Sequence, residues 1–63
     1  MNIRYIRSCC VDEELAEAYM QFCDENDIDY DIEEVGSDKL ITFVDTKDKL
    51  DKLYTWVLKT LHP

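Results

Sequence analysis

Three groups of side chains in this sequence have the composition to support chemistry. Asp27, Asp29 and Asp31, within DENDIDYDIEEVGSD, fall at the spacing of the first three oxygen ligands of an EF-hand calcium loop. The pattern then breaks, because the sixth position is Ile32 where a glycine makes the sharp turn, and the twelfth is Asp38 where a bidentate glutamate is usual. Cys9 and Cys10, between a first strand and a helix, sit where thioredoxin-like folds place a thiolate at a helix N-terminus. They are adjacent where that chemistry needs C-x-x-C, and Glu13 and Glu14 oppose a thiolate electrostatically. Cys9, Cys10, Cys23 and His62 equal in number the ligands that zinc takes, but no C-x-x-C knuckle pairs them. The one histidine, His62, lies next to the last residue, a poor anchor for a Ser-His or Cys-His pair. The expectation is a protein without catalytic residues, metal or cofactor.

The elements that position these groups follow from apolar spacing. Residues 2–7, NIRYIR, form a β-favouring run that predicts a first strand. Asp12 is a good helix N-cap, and Glu13 and Glu14 stand in the first turn, where the helix dipole favours negative charge. Leu15, Ala18, Tyr19, Phe22 and Cys23 then recur at helical spacing, until Asn26 and Asp27 offer a left-handed cap. From Ile28 the period changes to two: Ile28, Tyr30 and Ile32 alternate with Asp29, Asp31 and Glu33, which predicts a half-buried strand. The only glycine, Gly36, lies in a turn over residues 34–38, and KLITFVD after it is apolar on both alternating sets, as a central strand is. Thr46 is placed to cap a second helix with Leu50, Leu53, Tyr54, Val57 and Leu61 as its buried stripe and Trp56 at the edge of that stripe. The expected fold is α+β, βαββα, with a three-stranded sheet in the order 1-3-2 and two helices packed on one face. In topology this resembles a ferredoxin-like fold lacking its last strand.

At 63 residues the chain predicts one domain spanning residues 1–63, too small to enclose a deep catalytic pocket. No apolar run approaches the roughly 20 residues of a membrane span, and no basic stretch leads into an apolar one at the N-terminus. Three cysteines, two of them adjacent, make a poor disulfide framework, so reduced thiols and a cytoplasmic location are expected.

The net charge is −8, and it is localised. Between Arg7 and Lys39 there are twelve acidic residues and no Lys or Arg, whereas the flanking segments are mildly basic. Like charges three and four apart on a helix destabilise it, and interleaved lysines remove that cost, as they do in the second helix. A solvated, soluble surface is the plain reading of such a stretch. Uncompensated acid on one side also fits a basic partner, and direct binding to nucleic acid is correspondingly disfavoured. In size, acidity and lack of catalytic motifs the chain resembles the small inhibitors that phages and mobile elements direct against host nucleases, including anti-CRISPR and anti-restriction proteins that imitate the charge of DNA. That resemblance implies a non-catalytic inhibitor acting in the host cytoplasm on a nuclease or CRISPR effector. Glu13, Glu14, Glu17, Asp24 and Glu25 on the helix, with Asp29, Asp31 and Glu33 on the strand, would then contact the partner. The alternative expectation is a homodimeric or adaptor module that uses an open apolar sheet face.

Overall fold

The computed structural model describes residues 3–60. The elements run β1 (Tyr5–Val11), α1 (Glu13–Glu25), β2 (Tyr30–Val35), β3 (Asp38–Asp45) and α2 (Lys47–Thr60). β3 lies between β1 and β2 and is antiparallel to both, giving the sheet order β1-β3-β2. β1 and β2 are therefore parallel, with α1 as the crossover and β3 inserted between them, a split β-α-β arrangement. This is the βαββα, order 1-3-2, α+β fold that the apolar spacing predicts.

Local chemistry sets the boundaries. Asp12 has extended backbone angles and its Oδ1 accepts a hydrogen bond from the Leu15 backbone N–H at 2.8 Å, which caps α1. At the other end Asp27 takes a left-handed φ of 56°, and the Ile28 N–H donates back to the Cys23 carbonyl at 2.9 Å. This six-to-one bond is the Schellman closure, and it drops Ile28 into the core directly after the helix. Val35 pairs with Asp38, which leaves Gly36 and Ser37 as a two-residue hairpin turn. A positive φ of 64° at Gly36, with none at Ser37, is the φ pattern of a type II′ turn, which calls for glycine at its first position.

The strand register assigns every side chain to a face, because directly opposed residues point the same way. Tyr5, Arg7 and Cys9 of β1 oppose Asp45, Phe43 and Ile41 of β3, which in turn oppose Tyr30 and Ile32 of β2 across the last two rows. The helices cover this face. Its core joins Ala16, Tyr19 and Cys23 of α1 to Ile41 and Phe43 of β3 and to Leu50 and Leu53 of α2, with Ile28 between. The other face is uncovered and carries Ile6, Ser8 and Cys10, Leu40, Thr42 and Val44, and Asp31 and Glu33. β3 is central because Leu40 and Val44 serve one face while Ile41 and Phe43 serve the other.

Several boundaries differ from the sequence reading. The first strand is Tyr5–Val11 where the β-favouring run predicts 2–7, with Ile3 and Arg4 ahead of it and Asn2 outside the described residues, because β3 offers a seven-residue ladder from Asp45 back to Lys39. Cys9 and Cys10 thus lie in a strand, opposite Ile41 and Leu40, and not in a turn before the helix. Ile28 precedes β2 and is buried by the cap geometry, not by strand alternation. On α1 the fully buried positions are Ala16 and Cys23, while Leu15, Ala18 and Phe22 are half-buried, so the helix is rotated slightly from the expected stripe. Tyr54, expected in the stripe of α2, is 63% exposed, because Leu50, Leu53 and half-buried Val57 already fill the contact with the sheet. Leu61 and His62 fall outside the described residues.

Candidate functional site

The eight carboxylates singled out in the sequence do not form one surface. Ala16, Tyr19 and Cys23 turn α1 toward the sheet, so by the 100° step of a helix Glu14 and Glu25 lie on its far side. Glu13, Glu17 and Asp24 lie on the flank between, the one nearer β2, where the Tyr30 hydroxyl donates to Asp24 Oδ1 at 3.2 Å. Asp31 and Glu33 project from the uncovered face of the sheet, opposite to the helix layer. Asp29, just ahead of β2, is held by the Arg4 guanidinium at 2.9 Å. Five carboxylates share the α1 surface, two share the open sheet face, and one is ion-paired between them.

Pairing separates these groups further. All five ion pairs among the described residues lie off α1: Arg4 with Asp29, Lys39 with Glu34, Lys47 with Asp51, and Lys49 with both Asp27 and Asp45. Lys39, at 2.7 Å from Glu34, holds the Glu34 carboxyl below its ordinary range, mainly through that hydrogen bond. Glu34 does the same upward for Lys39, and the charge of Glu13 at the start of α1 adds to the effect. Glu13, Glu14, Glu17, Asp24 and Glu25 make no ion pair among the described residues. They span the thirteen residues of the helix, about 18 Å of axis from first to last at 1.5 Å per residue, a mean of about 4.5 Å between successive charges. A single DNA strand carries one charge per roughly 3.4 Å of axis.

The structure also brings forward groups that apolar spacing does not mark. Asp45 is only 4% exposed. Its Oδ2 accepts from the Asp29 N–H at 3.0 Å, its Oδ1 accepts from the Thr46 N–H at 2.8 Å, and Lys49 Nζ stands 3.8 Å away. These backbone donors, Asp29 first, outweigh burial and hold the Asp45 carboxyl below its ordinary value. Thr46 sits in the position before α2 and its carbonyl accepts from the Leu50 N–H at 3.1 Å. The side chain that engages the backbone there is that of Asp45. The available sequence signal is an Asp-Thr pair at the end of an apolar strand and the start of a helix.

The groups with apparent chemical potential are dispersed. Asp27 is the left-handed cap residue, Asp29 is bound by Arg4 and Asp31 faces away from the helices, so no calcium loop assembles. No cluster of three or more His, Cys, Asp or Glu with the geometry to hold a metal ion occurs among the described residues. Cys23 is buried and burial pushes its thiol up to about 11, while half-buried Cys9 is also raised, chiefly by burial. Both are held as neutral thiols, the reverse of an activated nucleophile. Trp56 stacks on Phe22 with centroids 4.6 Å apart and meets Tyr19 edge-on at 5.5 Å, which makes it the α1–α2 joint. A cleft of about 330 Å³ runs between β1 and α2, with Phe43 and Leu53 at its floor and Arg7, Cys9, Tyr54 and Val57 at its walls. No helix among the described residues is long and apolar enough to cross a membrane. Compared with protein-family models, curated proteins and solved structures, the chain matches none.

Proposed function

We propose that this protein is a non-catalytic binding module that presents the outer surface of α1 to the basic, nucleic-acid-binding surface of a nuclease or other defence protein, and inhibits it as a DNA mimic. The observation that carries this reading is the contrast in pairing: the ion pairs of the described residues leave Glu13, Glu14, Glu17, Asp24 and Glu25 unpaired on one helix surface. Their mean axial spacing of about 4.5 Å, somewhat sparser than the roughly 3.4 Å of one DNA strand but uninterrupted by any basic residue, supports the mimicry. A partner channel built for phosphate supplies the Lys and Arg that the α1 surface lacks, and occupation of that channel excludes the nucleic acid without any chemical step. Asp31 and Glu33, on the far side of the sheet, are not part of this contact.

The test is affinity capture from a bacterial lysate, with elution by double-stranded DNA and by salt. Wild-type protein should recover a nucleic-acid enzyme that either eluent releases, and Glu14→Lys/Glu17→Lys/Glu25→Lys should lose it while keeping its circular dichroism. Equal capture by the folded triple variant overturns the reading.

One observation favours a second reading, an adaptor that uses the uncovered sheet face. Leu40 and Val44 are half-buried there and Ile6 is exposed beside them. A partner bound to that face should resist salt and be lost in Val44→Lys.

A further inference from the structure

We propose that the outer edge of β1 is a self-association surface, on which β1 of a second copy adds antiparallel to give a continuous six-stranded sheet. This does not depend on the function proposed for α1. β1 is a seven-residue edge strand paired residue for residue with β3, without a bulge. Its outer side therefore offers a row of backbone donors and acceptors, the kind of edge that adds another strand, with one acceptor, the Ile6 carbonyl, held at 3.2 Å by the exposed Arg7 guanidinium that an added strand displaces.

Charge singles out the occupant. The chain carries −8 overall, yet residues 3–11 hold Arg4 and Arg7 and no acidic residue. Two copies that meet along β1 bring no carboxylates of that strand together. At the opposite edge β2 carries Asp31, Glu33 and Glu34, so self-pairing there sets acid against acid. Most of the exposed apolar surface lies on the same side: Tyr5 and Ile6 on β1 and Tyr54 and Leu58 on α2 are exposed, against Val35 at the end of β2, and the β1–α2 cleft lies along this side. A second copy brings the same apolar surfaces to the junction, as an isologous interface requires.

The strand also fixes its own register. Antiparallel pairing of identical strands about a twofold axis perpendicular to the sheet keeps both helix layers on one face. Centred on Ser8, it uses the whole strand and sets Tyr5 against Val11, Ile6 against Cys10, and Arg7 against Cys9 of the other copy. Centred on Arg7, it sets like charges opposite each other, which destabilises a cross-strand pair.

Sedimentation equilibrium from micromolar to millimolar protein tests this on the intact chain. A monomer–dimer equilibrium is expected, strengthened by added salt because two strongly acidic copies repel each other. Ile6→Lys and Tyr54→Lys, at exposed positions, should each weaken dimerisation by roughly tenfold or more. Thr42→Lys, in the middle of the uncovered sheet face, should leave it unchanged. Ser8→Cys, in a background of Cys9→Ser/Cys10→Ser, should form a reducible covalent dimer on mild oxidation. A monomer at every concentration overturns the proposal. So does a dimer that survives Ile6→Lys but is lost in Thr42→Lys, which would place the contact on the open sheet face. Loss of partner capture by the α1 triple variant with dimerisation intact separates this result from the fate of the mimic reading.

Discussion

Asp45 is the side chain on which three segments converge, since it ends β3, receives the backbone of the β2 approach through Asp29, and receives the start of α2 through Thr46. Asp45→Ala leaves those two N–H groups without their acceptor, and an unmet buried donor costs on the order of 1–3 kcal/mol. We expect a loss of about 2 kcal/mol in a urea or thermal melt, enough to lower the midpoint of so small a domain by roughly 10 °C. The same carboxylate sets a pH dependence. Its folded pKa lies below its unfolded one, so its contribution is fully present above the ordinary carboxylate range of about 4 and is lost as pH falls through the folded value. Glu34, lowered by Lys39, acts with the same sign. Melts of wild type and Asp45→Asn from pH 7 to pH 2 should differ most near neutrality and converge in acid. A constant difference across the range would show that the charge of Asp45 does not matter to folding.

The β2–β3 hairpin rests on a single backbone conformation. Gly36 has a φ of +64° and open space around the position a Cβ would occupy, so Gly36→Ala meets no clash and is opposed by the backbone alone. The expected cost is about 1–3 kcal/mol with the fold retained, and denaturant melts check it. The turn was legible because a lone glycine between two strands of alternating apolar residues has few other uses. The strand order was legible because one strand alone was apolar on both faces, as β3 is with Leu40 and Val44 behind Ile41 and Phe43. The extent of β1 was not: Ser8 and Cys10 belong to it only because Thr42 and Leu40 stand opposite, a long-range pairing that propensity does not see. The rotation of α1 was hidden for a related reason. Ala16 is small enough to let the helix approach the sheet, and bulkier Leu15 and Phe22 then turn to the helix–helix side. The α2 stripe overreached at Tyr54 because spacing alone does not reveal how wide a face three strands can cover. Trp56, the only tryptophan, joins the two helices through Phe22. Phe22→Ala should therefore shift the intrinsic emission of Trp56 to the red in the native state, and unchanged emission would contradict that stacking.

The acidic residues were legible as a composition but not as a surface, since strand alternation and helix phase distribute them to opposite sides of one sheet. Their collective effect still belongs to the whole molecule. At pH 7 the chain holds eight more negative than positive charges, and most of its ion pairs join exposed partners, which contribute little to stability. Salt screens both the repulsion and the pairs, and the repulsion is the larger sum when one sign dominates. Stability should therefore rise with sodium chloride at neutral pH, with the melting temperature climbing from low to moderate ionic strength and then levelling. The measurement belongs at low protein concentration, where the midpoint does not depend on dimerisation. The α1 carboxylates make a specific contribution to this response, because no base of α1 offsets them. Glu17→Lys/Glu25→Lys, at mid-helix and last-turn positions, should raise the midpoint at low salt and flatten its salt dependence, through relief of repulsion on the helix and a smaller net charge. The same variant tests whether the acid costs stability: a protein that becomes more stable when its α1 surface is neutralised, and loses its partner at the same time, carries that charge for binding. A melting temperature that falls with salt would instead mean that the ion pairs around Asp29, Glu34 and Asp45 outweigh the repulsion, and the α1 surface would then be a tolerated, solvated face.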